Sequence, residues 1–184
     1  MSILVDRGNS MATNEHYIPS NHDSLAAATA VRKVLDELGI NYVEIEHQPL
    51  FTVDDARNVQ MQITGQGCKS ILLRTKKRDR YLLVLLREDH RANTQAIASQ
   101  VNCSHLSFAN ADELAKLLGL YPGAVSPFGI INDTENRVEL LIDPCLVGQR
   151  LLFHPNTNTR TVSIAYDDLI KFIESRKHSY TLLN

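Results

Sequence analysis

Two apolar runs, SILLRT (70–75) and RYLLVLL (80–86), meet across the charged turn KKRDR. Apolar runs this short, joined by so few polar residues, pair as a β-hairpin. A chain built around such a hairpin needs a sheet with an antiparallel centre, and helices to cover it.

The flanking sequence supplies both. A helix capped by Asp23 or Ser24 sets Ala28, Val31, Leu35 and Leu38 on one face and ends at Gly39. NYVEIEH (41–47) alternates as a half-buried strand does. Thr52, with Asp55 three residues on, imitates a capping box for a short helix in TVDDA. NTQAIASQV and NADELAKLLG read as short helices, each opened by an Asn cap, with HLSFA extended between them. RVELLID, RLLFH and TRTVSIA follow as strands. YDDLIKFIESRK closes the chain as a helix with Leu169, Phe172 and Ile173 inward and basic residues at its end. The expected architecture is a single α/β (α+β) domain over 23–180, with a mixed, largely antiparallel central sheet flanked by helices. Residues 1–22, polar and aperiodic, are expected to be a flexible tail.

Composition excludes several function classes. A net charge of −2 argues against a protein that coats nucleic acid, though not against a local basic patch. No apolar run approaches the roughly 20 residues of a membrane span, and the N-terminus lacks the basic-then-apolar layout of a signal peptide. Cys68, Cys103 and Cys145 are odd in number, widely spaced and without a CxxC. That pattern suits a reducing cytoplasm and reads against a disulfide framework and against a zinc site, so no metal and no cofactor is expected.

The common catalytic signatures are missing: no GxSxG, no P-loop, no GxGxxG, no HExxH. The seven histidines are scattered without metal-ligand spacing and read as surface or capping imidazoles. His154 is the exception, because it ends the apolar strand RLLFH and runs directly into Pro155 and the polar string NTNTRT. A strand end opening into a turn is a place where a side chain can face a cleft. Lys69 stands in GQGCKSILL, just before the most apolar strand and after two glycines. It is either a solvated lysine or a cation aimed at a phosphate or carbonyl. In RTKKRDR (74–80) five of seven residues are basic, which fits a solvated hairpin tip or a nucleic-acid contact through Lys76, Lys77 and Arg78. LYPGAVSPFGIIND (120–133) begins where a helix should stop. It carries two prolines, two glycines and almost no charge, so it is an apolar and conformationally fixed loop.

Three stretches, GCKSILLRTKKRDRYLLVLL, LGLYPGAVSPFGIIND and LLFHPNTNTRTVSI, in that order, resemble the YbaK-like aminoacyl-tRNA deacylases. These are the free-standing relatives of the editing domain inserted in bacterial prolyl-tRNA synthetase. VRKVLDELGINYVEIEHQPLFTVDDA is similar to the family's opening, so the likeness spans about Leu25 to Arg176. Its most specific set is the GxxxP element from Gly123 to Pro127, the strand-initial lysine and the strand-terminal His-Pro.

The resemblance implies a cytoplasmic hydrolase that removes a wrong amino acid from tRNA in trans, alanine from tRNA(Pro) above all, with prolyl-tRNA synthetase as a possible partner. A synthetase that accepts proline cannot strongly exclude a smaller amino acid, since missing methylenes are worth only about 1–3 kcal/mol. A second, smaller pocket with stiff walls is the remedy. The implied catalytic set is Lys69, Gly123, Ser126 and His154, with Lys69 engaging the terminal adenosine or its phosphate and His154 shaping the pocket. Thr52, Ser70, Val125, Pro127 and Phe128 are the implied substrate contacts. The family's alanyl-specific type reads Lys-Asn where this chain has Lys69-Ser70, which leaves serine, cysteine and threonine open as alternative cargoes. A non-catalytic aminoacyl-tRNA or amino-acid binding module, and a small hydrolase acting on a non-tRNA ester or amide, are the competing readings.

Overall fold

The computed structural model describes residues 21–50 and 53–184. The expected tail therefore falls almost wholly outside the described residues, as does Thr52 with its capping box. Helix α1 (Asn21–Glu37) begins two residues ahead of the expected cap and stops at Gly39, whose φ of +62° is the left-handed conformation glycine adopts without penalty. Ala28, Val31 and Leu35 on its inner face are fully buried. Lys171 donates to the Leu38 carbonyl oxygen at 2.7 Å and so holds the end of α1 against the last helix.

The hairpin forms as the sequence requires. Strands β2 (Gln66–Thr75) and β3 (Tyr81–Arg87) pair antiparallel from Cys68↔Arg87 to Arg74↔Tyr81. β3 is buried on both faces: Leu83 and Leu85 face the main core, Leu82, Val84 and Leu86 a second one. This explains its unbroken apolar run, because a strand covered twice has no polar side to alternate with. Burying each such side chain contributes roughly 1.5–3 kcal/mol.

The remaining strands are β1 (Tyr42–Glu46), β4 (Leu106–Phe108), β5 (Val138–Ile142), β6 (Arg150–Phe153), β7 (Arg160–Ala165) and β8 (Tyr180–Leu182). They order as β1-β7-β6-β2-β3-β5-β8, with β4 on β2. β1–β7, β6–β7, β2–β3 and β2–β4 are antiparallel; β2–β6, β3–β5 and β5–β8 are parallel. The sheet is thus mixed and mostly antiparallel. β8 has no counterpart among the expected strands, since TLLN is too short and too near the terminus to show a period.

Helices α4 (Ala111–Leu118) and α5 (Tyr166–Ser175) pack with α1 on the main core, and α3 (Thr94–Gln100) packs on the other face. Both asparagine caps are present. Asn93 accepts from Ala96 N, and Asn110 closes a reciprocal capping box with Glu113. Helix α2 (Val53–Gln60) follows the undescribed pair of residues. No helix among the described residues is long and apolar enough to cross a membrane.

Candidate active site

One edge of β2 carries two different partners and a gap between them. β6 runs beside it only at Gln66↔Leu151 and Gly67↔Leu152, and β4 joins only from Leu73. The Leu72 carbonyl oxygen still accepts from Ala109 N, so residues 68–71 face no strand on that edge, and a strand edge without a neighbour offers its backbone polar groups to whatever lies beside it. A cavity of about 250 Å³ opens here. Cys68, Lys69 and Ser70 form its floor, Phe153 and His154 come from the end of β6, and Gly123 and Val125 come from the loop after α4. Ala56, Val59 and Gln60 of α2 close the remaining side.

Lys69 Nζ donates to the backbone carbonyl oxygen of Glu88 at 2.9 Å. The Glu88 carboxylate in turn accepts from the Gln60 side chain. Both side-chain ends pass over Gly67, where a Cβ would meet them and push this pair aside. Ser70 Oγ is buried and has no hydrogen-bond partner. A buried hydroxyl without a partner costs free energy that a bound polar group can recover.

His154 Nδ1 donates to the Arg160 carbonyl oxygen at 2.8 Å, because a carbonyl can only accept. That fixes the tautomer and leaves Nε2 as the acceptor atom of a ring that lines the cavity. Burial pushes its pKa below the ordinary imidazole value, the Arg160 carbonyl works against this, and the nearby His47 adds to it. The ring is neutral at physiological pH. His47 stands 6.0 Å away, ring centre to ring centre; its Nδ1 donates to the Gln48 carbonyl, and its Nε2 lies 2.9 Å from Thr161 Oγ1. Cys68 is no nucleophile: burial pushes its thiol up to about 12.

The loop over 120–125 is stiff for reasons its sequence announces. Ala124 N bonds the Tyr121 carbonyl oxygen at 3.0 Å, with Pro122 and Gly123 between and Gly123 at φ +95°. Proline then glycine with positive φ is the signature of a type II turn. Nothing lies within 4 Å of where a Gly123 Cβ would stand, so backbone conformation and not crowding demands glycine. Tyr121 Oη then donates to Asn158 Oδ1 and accepts from Asn158 N, both at 3.2 Å, and Asn156 Nδ2 donates to the Phe128 carbonyl oxygen.

This last arrangement was not legible in the sequence. The string NTNTRT reads as a polar turn, yet Asn156, Thr157 and Asn158 are buried. Asn156 and Asn158 clip the two loops of the site together. The signal was present in Asn156, at φ +61°, since asparagine is the side chain that most readily accepts the left-handed region.

Of the residues expected at the site, Lys69, Ser70, Gly123, Val125 and His154 meet around the cavity. Ser126, Pro127 and Phe128 do not. Ser126 is fully buried, and its hydroxyl caps the 3-10 helix Pro127–Asn132 by accepting from Phe128 N at 3.2 Å. Its expected catalytic role is therefore replaced by a capping one. Phe128 lies in the core, edge-on to Phe153 and Phe172. The apolar loop reads as one wall, but only its first half is wall; the second half is a helical turn whose apolar side chains are core. Thr52 lies outside the described residues. Lys76, Lys77 and Arg78 are exposed on the β2–β3 turn, at the far end of β2 from Lys69, and Arg78 pairs with Glu113 at 3.5 Å.

Two further histidines depart from the surface reading. His178 Nε2 lies 3.0 Å from Asp133 Oδ2 in a buried pair, and His90 Nδ1 lies 2.5 Å from Asp143 Oδ2.

Residues 47–172 match the sequence model of the aminoacyl-tRNA editing domain. The chain is 36% identical over 155 residues to the prolyl-tRNA editing protein ProX of Acetoanaerobium sticklandii, covering 84% of this chain and 94% of that one. It is 32% identical over 94 residues to the proline–tRNA ligase of Bacillus subtilis, covering 50% of this chain and 16% of the ligase. A crystal structure described as a candidate trans-editing enzyme for prolyl-tRNA synthetase superposes with a TM-score of 0.67 at 20% identity, covering 86% of this chain and 96% of that one.

Proposed function

Because the chain belongs to the aminoacyl-tRNA editing-domain family, we propose that it is a free-standing deacylase that removes alanine from mischarged tRNA(Pro). The observation that carries this reading is the convergence of Lys69, Gly123, Val125 and His154 on one small cavity at the open edge of β2.

The chemistry asks little of the protein. An aminoacyl ester is already activated and has a ribose hydroxyl beside the scissile bond. A positioned water and electrostatic support for the developing oxyanion complete the reaction. Lys69 uses one of its three N–H donors on Glu88 and keeps two for the terminal adenosine or its phosphate. The backbone of the Gly123 turn and the edge of β2 orient the ester carbonyl and the water. His154, neutral and fixed by Arg160, is the wall that meets the amino-acid side chain, and Val125 and Phe153 make the rest of that wall apolar. Ser70 Oγ faces the bound aminoacyl group and satisfies its hydrogen bond there. The work belongs to translation and hence to the cytoplasm, with prolyl-tRNA synthetase as the source of the substrate.

The test is a deacylation panel of tRNA(Pro) charged with Ala, Ser, Cys, Thr or Pro. Alanine should be released fastest and proline spared. Faster release of serine, cysteine or threonine would move the cargo to that amino acid. Binding of charged tRNA without turnover would leave a non-catalytic module. Hydrolysis of a minimal aminoacyl ester, with charged tRNA left intact, would mean a different small hydrolase.

A further inference from the structure

Two chain segments far apart in sequence meet at the end of β3 opposite the turn. His90 follows β3, while Asp143 follows β5 and caps the 3-10 turn Pro144–Leu146 that carries Cys145. One potential ligand atom from each residue, an imidazole nitrogen, a carboxylate oxygen and a thiol sulfur, all lie within 4.8 Å of one another. This is the one such group of three among the described residues, and none of its members lines the cavity at Lys69. His90 and Asp143 instead line a second cavity, of about 510 Å³, beside α3 and the C-terminal residues.

We propose that His90, Asp143 and Cys145 form a binding site for a zinc-class divalent cation, with water from the second cavity as fourth ligand. Asp143 and Cys145 stand two residues apart, but His90 lies more than fifty residues before them, so the sequence alone shows no zinc motif. Here the fold supplies the spacing, through the parallel pairing of β3 with β5.

Three features support the assignment. The donor set combines thiolate, imidazole and carboxylate, which suits zinc and excludes the oxygen-preferring cations. Asp143 is preorganised: it is 4% exposed, Oδ1 accepts from Cys145 N at 2.9 Å, and Oδ2 accepts from Arg87 N at 3.3 Å. Cys145 is exposed on the turn, so its side chain can rotate to close the remaining distance.

The charge balance is favourable. On binding, the Cys145 thiol gives up its proton to solvent and His90 binds through Nδ1. A dication with one thiolate, one carboxylate and a neutral imidazole sums to zero, which suits a half-buried position. The bound ion would tie the β3–α3 connection to the β5–β6 connection.

Cobalt(II) titration of the reduced full chain is the test, with zinc competition and thermal denaturation beside it. One cobalt per chain should bind with a thiolate-to-metal charge-transfer band, and zinc should displace it and raise the melting temperature. Cys145→Ser should abolish the band. His90→Gln should weaken affinity by more than about 100-fold, the upper range for removing a group that only supports a ligand. Cys68→Ser and Cys103→Ser should leave the band intact. Asp143 is spared because it also caps its turn. Absence of stoichiometric binding, persistence of the band in Cys145→Ser, or unchanged affinity in His90→Gln would each overturn the site.

Discussion

The ammonium of Lys69 lies 2.9 Å from the backbone carbonyl oxygen of Glu88, a residue whose own carboxylate is tied to Gln60 on α2. The lysine is therefore a held cation, anchored by main chain and not by a neutralising carboxylate. Lys69→Ala should lower the deacylation rate by at least about 10²-fold, the range for removing one preorganised electrostatic group. Its circular dichroism spectrum should match the parent, because a half-buried lysine on the open edge of β2 contributes little to the core. Full activity in the folded variant would remove Lys69 from the mechanism.

His154 sets both selectivity and pH response. His154→Ala enlarges the cavity, so hydrolysis of Pro-tRNA(Pro) relative to Ala-tRNA(Pro) should rise about tenfold or more, the lower end of what a missing group in a pocket is worth. Steady-state rates on both substrates give the ratio. The folded ring has a pKa below the unfolded value of about 6.5. The unfolded state thus binds more protons in that window, and stability falls as pH drops below about 6.5 toward the folded pKa. Parent melting temperatures should show this acid loss, and His154→Ala should flatten it.

Cys68 adjoins Lys69, which makes it the competing nucleophile. With its thiol at about 12 it carries almost no thiolate at neutral pH. Cys68→Ser should keep turnover within about twofold, and the serine hydroxyl can still donate to the Gln66 carbonyl oxygen that the thiol bonds. Abolished turnover in a folded Cys68→Ser protein would reverse the assignment.

The basic turn stands seven residues from Lys69 along β2, roughly 23 Å at about 3.3 Å per residue. A contact there would reach tRNA well away from its charged end. Neutralising Lys76, Lys77 and Arg78 together should weaken tRNA binding and reduce the salt slope by about one for each phosphate that is no longer neutralised. Arg78 should contribute least, since Glu113 already holds it. Binding measured against salt concentration decides, and an unchanged slope would leave the turn as a solvated hairpin tip.

Gly123→Ala and Ser126→Ala separate backbone from side chain within one loop. Alanine at φ +95° strains the turn, so Gly123→Ala should lower the rate while costing roughly 1 kcal/mol of stability. Ser126→Ala removes a cap and should cost about 1 kcal/mol with little change in rate. Thermal melts and single-turnover rates on the two variants should show opposite balances.

The fold was readable where one rule governed each segment. The β2–β3 hairpin, both asparagine caps and the stop at Gly39 follow from local chemistry. Lys69 and His154 were legible because a strand end in an otherwise apolar run leaves few roles for a charged or titratable group. What escaped depends on contacts far apart in sequence. Ser126 and Phe128 look like site residues in a loop, but Phe128 packs on Phe172 of α5 and Phe153 of β6, and the buried Ser126 caps the 3-10 helix. The Tyr121–Asn158 clip spans 37 residues, and β8 finds its place only by pairing with β5.

That clip has a thermal consequence. The loops that bound the cavity are joined by hydrogen bonds of the Tyr121 phenol and of Asn156, and each such bond contributes only about 0.5–1.5 kcal/mol net. Warming or mild denaturant should loosen this junction well before the sheet that carries Lys69 melts. In that interval the cavity could yield to a larger amino acid while the chemical groups stay in register. The protein should become less discriminating before it becomes slower, and an organism relying on it would lose correctly charged tRNA at a temperature where the enzyme still turns over.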